Sequence, residues 1–97
     1  MTTLVEKVVA LSESLTGADI PHAFGGALAL AYCTEDPRGT RDIDVNAFVP
    51  ADEAGRVLAA LPSEVVVPPG TAEVVAADGQ VRLWWGDTPV DLFLDYA

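Results

Sequence analysis

The chain has 97 residues, of which 51% are hydrophobic, and this length suits one small domain with a single core, residues 1–97. Fifteen acidic residues against five basic ones give a formal net charge of −10 and an isoelectric point near 4.1. A surface of this sign repels phosphate backbones. The composition therefore excludes direct binding of DNA or RNA, except through a metal ion.

Cysteine content and the amino terminus indicate the compartment. Cys33 is the only cysteine, which excludes an internal disulfide and a cysteine-based metal cage, and it is interpreted as a small buried side chain. The amino terminus carries Glu6 and lacks the basic start and apolar run of a signal peptide. No apolar segment reaches the roughly 20 residues that span a bilayer. We expect a cytoplasmic protein without membrane contact.

Helices and strands follow one another along the chain. The first helix is predicted by an apolar stripe at helical spacing and a glycine, Gly17, just past its end. The predicted helices are 3–16, 27–33 and 50–61, and the predicted strands are 22–24, 42–49, 65–67, 81–85 and 89–96. Residues 71–78 fit a short helix flanked by Thr71 and Gly79, and fit a strand equally well. Residues 86–88 are predicted to form a hairpin turn.

This order of elements predicts an α+β fold with two layers. We expect a small mixed sheet, mostly antiparallel, with helices packed on one face. The sequence contains no internal repeat, linker or low-complexity segment. We expect residues 1–97 to form one domain.

A glycine pair, Gly25 and Gly26, lies between the strand 22–24 and the apolar helix 27–33. Glycines permit a tight turn with open backbone amides, and a helix amino terminus adds partial positive charge, which together favour a phosphate or carboxylate ligand. A glycine pair is also common in an ordinary turn, and both interpretations stay open. His22, the only histidine, is interpreted as a strand-edge residue without a catalytic role.

Three acidic residues fall within apolar strands. Asp42 and Asp44 project from the same face of one strand, with Cα atoms roughly 6.5–7 Å apart, because side chains alternate across a strand. Their repulsion is relieved by a divalent cation such as Mg²⁺. If the last strand pairs beside this one, Asp91 joins them. Three converging carboxylates are typical of a two-metal site, with ions about 3.5–4 Å apart.

Two arginines, Arg38 and Arg41, precede these carboxylates in the sequence. Either side chain could contact a triphosphate, or could screen the acidic residues from one another. The sequence does not decide between these roles.

The glycine pair, the segment RGTRDID and the later segment VDLFL, in this order, resemble the nucleotidyltransferase superfamily that includes the DNA polymerase beta fold. The pattern is most similar to the minimal and AbiEii-like (abortive-infection) branches. The resemblance covers residues 24–95. It implies transfer of a nucleoside monophosphate from an NTP to a hydroxyl, with Mg²⁺ or Mn²⁺ as cofactor and pyrophosphate as leaving group.

The same resemblance implies roles for individual residues. Asp42 and Asp44 would bind two metal ions, and Asp91 would ligate the catalytic ion and help deprotonate the acceptor hydroxyl. The residues assigned to the nucleotide are Gly25, Gly26, Arg38, Thr40 and Arg41.

Two departures from the family pattern affect these expectations. Gly26 stands where a serine often follows the first glycine, which removes one side-chain donor to the phosphates. Relatives also continue into further helices that help bind the base and the acceptor, whereas this sequence ends at Ala97. We therefore expect a fragment, a shortened homologue, or a domain whose other half is a partner chain.

Two classes of function follow. The first is a metal-dependent nucleotidyltransferase acting on a small-molecule or protein hydroxyl, for example as one half of a toxin–antitoxin pair. The alternative is a catalytically inactive module of the same fold that binds a nucleotide or a partner. A third interpretation, an unrelated α/β domain, treats the Asp-x-Asp pair as a solvated strand end.

Overall fold

The computed structural model describes residues 4–25 and 42–95. Within these residues there are three α-helices, α1 to α3, at Leu4–Gly17, Ala54–Ala60 and Thr71–Asp78, and a 3₁₀ turn at Ala51–Glu53 leads into α2. The same ranges contain five strands, β1 to β5, at His22–Phe24, Ile43–Pro50, Val65–Val66, Gln80–Trp85 and Thr88–Asp95. The predicted helix 27–33 and the site residues Gly26, Arg38, Thr40 and Arg41 lie outside the described residues.

The five strands form one open sheet in the order β1-β2-β5-β4-β3. Three neighbouring pairs are antiparallel, and β2 with β5 is parallel. The predicted α+β fold, with its mixed and mostly antiparallel sheet, is confirmed.

One face of the sheet carries the core. Along β2, residues 43, 45, 47 and 49 are buried, while the residues between them are half-buried or exposed, which is the alternation that a strand imposes. Buried residues of α1, α2 and α3 join the same apolar cluster. The helices therefore cover this face, as predicted, and the acidic residues lie on the other.

The carboxyl end of α1 differs from the prediction. Gly17 is the last residue of the helix, and the left-handed conformation that ends it is taken by Asp19, with φ of +59°. The amide of Ile20 then donates to the carbonyl of Leu15 at 2.9 Å. Burial of Ile20 in the core explains why the turn comes two residues later than Gly17 suggested.

The segment 71–78 is a helix, which settles the ambiguity between helix and strand. Gly70 and Gly79 flank it with φ of +87° and +75°, conformations that glycine adopts without steric cost. Thr71 does not cap the helix, because its hydroxyl donates to the carbonyl of Pro68 at 2.6 Å. The two glycines therefore mark the two ends of this helix.

The β4–β5 hairpin has a two-residue loop, Gly86 and Asp87, with Trp85 paired to Thr88. Gly86 has φ of +63°, as such loops require at their first position. Thr88, predicted to lie in the turn, is the buried first residue of β5. Its hydroxyl accepts a hydrogen bond of 2.6 Å from the ammonium of Lys7, which ties α1 to the hairpin.

No helix within the described ranges has the length and apolar character needed to cross a bilayer.

Candidate functional site

The open face of the sheet brings together residues that the sequence separates widely. Asp44 projects from this face because its neighbours Ile43 and Val45 are fully buried on the other. Asp42 immediately precedes β2 and points to the same side, since it lies two residues before Asp44. Apolar packing of one strand face thus fixes the direction of the carboxylates on the other.

Strand pairing then adds two more charged residues. The parallel register of β2 and β5 sets Asp44 opposite Asp91, and the antiparallel register of β4 and β5 sets Arg82 opposite Asp91. Adjacent strands are roughly 4.8 Å apart. Asp44, Asp91 and Arg82 therefore form a row across three strands, and with Asp42 they make up what we call the acidic cluster.

Arg82 holds two of the three carboxylates. Its Nε donates to Oδ1 of Asp91 at 2.8 Å, and its Nη2 donates to Oδ2 of Asp91 at 3.0 Å. The same Nη2 lies 3.3 Å from Oδ2 of Asp42. The hydrogen bond and the charge of Asp91 raise the pKa of Arg82, which keeps the guanidinium positive.

Asp44 differs from the other two carboxylates because Arg82 makes no hydrogen bond to it among the contacts the structure describes. Partial burial raises the pKa of Asp44 above its ordinary value, followed in effect by the negative charges of Asp91 and Asp42 and a side-chain hydrogen bond with Asp91. The positive charge of Arg82 opposes this shift only in part. The cluster therefore contains unrelieved negative repulsion centred on Asp44.

Gly25 lies against the same carboxylate. Its amide donates to the backbone carbonyl of Asp44 at 2.9 Å, which extends the pairing of β1 with β2. A Cβ at position 25 would lie 2.9 Å from Cβ of Asp44 and 3.2 Å from its Oδ2. The glycine is thus required by close approach to Asp44, and its amide is engaged in the sheet instead of open to a phosphate.

Comparison of the chain with family models, curated proteins and solved structures gives no match. The resemblance to nucleotidyltransferases accordingly stays a prediction from the residues.

The acidic cluster has the donor chemistry of a divalent-metal site. Its donors are carboxylate oxygens, the hard ligands that Mg²⁺ and Mn²⁺ take. The pKa of Asp44 is raised first by burial and then by the repulsion of Asp91 and Asp42, and a cation would relieve that repulsion. Within residues 4–25 and 42–95, however, no group of three or more His, Cys, Asp or Glu side chains is arranged to hold a metal ion. The donor set fits in its chemistry, while Arg82 supplies the positive charge in the arrangement observed.

A shallow groove of about 420 Å³ borders the cluster. It is lined by Val74, Asp78, Gln80, Val81, Arg82, Asp91 and Phe93. Trp84 lies on the same side of β4 as Arg82, two residues away, and its side chain is half-exposed. The cluster thus has a groove of mixed polar and apolar lining and a half-exposed indole beside it.

The sequence-predicted site residues divide into two sets. Asp42, Asp44 and Asp91 lie together on one face, with Gly25 in contact with Asp44. Gly26, Arg38, Thr40 and Arg41 are outside the described residues.

Arg82 was missed by the sequence reasoning, although the sequence contained a signal for it. A two-residue loop at Gly86 fixes the hairpin register, and counting back from the Trp85–Thr88 pair places position 82 opposite position 91. An arginine opposite an aspartate on adjacent strands is a favourable cross-strand pair.

His22 has a structural explanation. Its Nδ1 lies 2.9 Å from the carbonyl of Ile20, and its Nε2 lies 3.3 Å from the hydroxyl of Ser12. The contact with Ser12 joins β1 to α1, and the contact with Ile20 is local to the connection between them.

Proposed function

We propose that the domain is a metal-dependent nucleotidyltransferase that moves a nucleoside monophosphate from an NTP to a hydroxyl of a small molecule or a protein. The observation that carries this proposal is the convergence of Asp42, Asp44 and Asp91 on the open face, from two strands that pair in parallel. In the reaction the acceptor oxygen forms a bond to the α-phosphorus, the bond from that phosphorus to the bridging oxygen breaks, and pyrophosphate leaves.

In this proposal Asp42, Asp44 and Asp91 would hold Mg²⁺ or Mn²⁺. The ions would supply neutralisation of the charge on the triphosphate and on the leaving pyrophosphate. The protein's own contribution is alignment: a rigid strand pair fixes the carboxylates, and Asp91 accepts the proton of the acceptor hydroxyl. Such transfers depend mainly on positioning and on electrostatic stabilisation.

The groove beside Arg82 and Asp91 is the proposed place for the nucleotide. A guanidinium and a half-exposed indole on one side of β4 offer a phosphate contact and a surface for a base. The Gly25 amide is engaged with Asp44, so the predicted phosphate contacts of the glycine pair would fall to Gly26. An NTP donor also fits the cytoplasmic location that the sequence predicts.

The test is incubation of the protein with each labelled NTP and Mg²⁺ or Mn²⁺. We expect label on the protein itself or on an added acceptor, together with released pyrophosphate. Asp44→Asn should abolish the label. Asp87→Asn, which removes the same charge from the exposed hairpin loop, should retain it. No label and no pyrophosphate with any of the four NTPs would overturn the enzymatic proposal.

A second candidate is a module of the same fold that binds a nucleotide or a partner chain without turnover. Arg82 favours this candidate, because its guanidinium already neutralises two of the carboxylates that catalysis would require. Nucleotide binding by equilibrium dialysis, in the absence of pyrophosphate release, would select it over the enzyme. A toxin–antitoxin role stays a prediction under either candidate.

A further inference from the structure

We infer that the outer edge of β4, at residues 80–83, binds an extended peptide of basic and apolar character, which adds to the sheet as an antiparallel strand. The edge is open there because β3 pairs with β4 only at Trp84 and Trp85. Strand addition requires neither a nucleotide nor a metal ion, so this inference goes beyond the proposed function.

The register of the β4–β5 hairpin decides which backbone groups of β4 face outward. Hydrogen-bonded and non-hydrogen-bonded pairs alternate along an antiparallel ladder. The amide of Leu94 donates to the carbonyl of Gly79 at 2.8 Å, so residues 79, 81, 83 and 85 direct their backbone groups toward β5. Opposite Trp84 stands Pro89, which has no amide hydrogen to donate, and this agrees with the alternation.

The backbone groups of Trp84, Arg82 and Gln80 therefore point away from β5. Trp84 is paired on that side with Val66, the last residue of β3. In the part of the chain that the structure describes, no strand continues beside Arg82 and Gln80, and no backbone hydrogen bond reaches this side of either residue. Their outward amides and carbonyls form an unpaired sheet edge, which is a template for another strand.

The groove of about 420 Å³ runs along this edge and gives an added strand room for its side chains. Val74 of α3, which is 45% exposed, and Val81 line one side of it. Gln80 and Arg82, both exposed, line the side toward the open face. Because side chains alternate along a strand, the added segment would contact the two valines at every second position. Apolar residues suit those positions, and polar residues suit the positions between them.

Charge favours a basic partner over a second copy of the chain. Among the described residues, two carboxylates and one guanidinium line the groove, those of Asp78, Asp91 and Arg82. The domain carries a formal charge of −10, and a second copy would bring the same charge to the interface. A strand on the outer edge of β4 would border the nucleotide proposed for the same groove, so peptide binding is measured without nucleotide.

The probe is the fluorescently labelled peptide Lys-Thr-Val-Thr-Val-Thr-Val-Lys, and fluorescence polarisation measures its binding to the whole chain. In an antiparallel addition, residues opposite Gln80 and Arg82 exchange hydrogen bonds with them and share their face, so the threonine amides point at β4 and the valine amides point away. We expect N-methylation of the threonine amides to weaken binding about 10-fold or more, and N-methylation of the valine amides to leave it within about 2-fold. Glutamate in place of both lysines should weaken binding at low salt, and less so at high salt.

A pair of protein variants tests the same edge from the other side. Arg82→Ala and Arg82→Pro both lose the guanidinium, but only proline also removes the outward amide hydrogen. Proline is tolerated on an edge strand whose amide faces solvent. We expect Arg82→Pro to bind the peptide about 3- to 10-fold more weakly than Arg82→Ala, the effect of one lost hydrogen bond. Circular dichroism checks that both variants fold, and if Arg82→Pro does not, the N-methylated peptides decide alone.

Equal effects of the two N-methylated sets would overturn the inference, because the peptide backbone would then not pair with β4. Loss of binding with methylated valine alone would overturn the antiparallel pairing, and equal binding of the glutamate peptide would overturn the basic character of the partner. A dimer in sedimentation equilibrium, together with no peptide binding, would assign the edge to a second copy. Label transfer from NTP is measured separately, so failure of the proposed function is distinguishable from each of these outcomes.

Discussion

The charge on Asp44 is costly for folding in the absence of a metal ion. Its folded-state pKa is raised above the ordinary value of 3.8, so the folded protein prefers the protonated form. Stability from this group is fully present below the unfolded pKa and is lost as the pH rises through the folded pKa. At neutral pH, the charge on Asp44 therefore destabilises the metal-free fold.

Asp44→Asn should raise the free energy of unfolding at pH 7 in metal-free buffer. We expect a gain of about 0.5 kcal/mol or less, because Asp44 is only half-buried and solvent screens its neighbours. The gain should shrink as the pH falls through the raised folded-state pKa of Asp44, where the wild-type carboxyl takes up its proton, and should be lost below the ordinary value of 3.8. Urea denaturation across this pH range measures both effects. Asp87→Asn is the control for overall charge, and an Asp44→Asn protein less stable than Asp87→Asn at pH 7 would contradict the prediction.

Gly25 is a second residue whose identity is set by a close approach. Gly25→Ala would place a methyl group 2.9 Å from Cβ of Asp44, so either β1 or Asp44 has to move. We expect a loss of about 1–3 kcal/mol in the free energy of unfolding, as for overpacked sites. Gly55→Ala is the matched control, since nothing lies within 4 Å of its added Cβ and alanine favours the helix α2. Equal stability of the two variants in thermal denaturation would contradict the proposed contact.

At the scale of elements, the helix end at Asp19 offers a test of backbone strain. A non-glycine residue at φ of +59° is disfavoured, and a carboxylate close to a helix carboxyl end opposes the helix dipole. Asp19→Gly should relieve both effects. We expect the free energy of unfolding to rise by about 0.5–1 kcal/mol, after subtraction of the cost of glycine's greater freedom in the unfolded chain.

Asp19→Asn separates these two causes. Asparagine removes the charge while retaining a side chain that tolerates the left-handed region. If strain dominates, the thermal midpoint of Asp19→Gly is higher than that of Asp19→Asn. A glycine variant no more stable than wild type would show that Asp19 is not strained there.

The elements also show what the sequence can predict. Alternation in 43–49 and the apolar stripe of α1 were sufficient to place β2 and the first helix, because burial on one side dictates both patterns. Gly17 was predicted to lie just past the end of α1, whereas it is the last residue of the helix and the left-handed turn falls at Asp19, because Ile20 packs into the core. A helix was predicted over 50–61, but the observed helix α2 is shorter. Pro50 is the last residue of β2, and a 3₁₀ turn precedes α2.

The site shows the same contrast between features that follow from local sequence pattern and features that depend on tertiary packing. The shared face of Asp42 and Asp44 follows from strand geometry alone, whereas the position of Asp91 depends on which strands become neighbours. The sequence could state the β2–β5 pairing only as a condition. Arg82 was within reach of prediction through the hairpin register but was not recognised.

At the scale of the whole molecule, a net charge of −10 on 97 residues opposes compaction. Raising NaCl from about 10 to 150 mM shortens the Debye length from roughly 30 to 8 Å, so the thermal midpoint should rise. At matched ionic strength, Mg²⁺ or Mn²⁺ should raise it further, because an ion that binds only the folded state adds stability.

Removal of the divalent ion with a chelator should reverse the rise in thermal midpoint that the ion causes. The rise caused by NaCl should remain. Asp44→Asn should respond to NaCl as wild type does, while its additional response to Mg²⁺ should be smaller. Identical responses of wild type and Asp44→Asn to Mg²⁺ would mean that the ion acts only by screening.

The parallel pairing of β2 with β5 also sets the order in which the residues of the acidic cluster come together during synthesis. The β4–β5 hairpin joins Arg82 to Asp91 across 9 residues, a local closure, whereas Arg82 and Asp42 are 40 residues apart. A nascent chain on the ribosome that has not yet released β5 presents Asp42 and Asp44 without their later neighbours. Any activity of this face would therefore begin only after β5 has left the ribosome and inserted between β2 and β4.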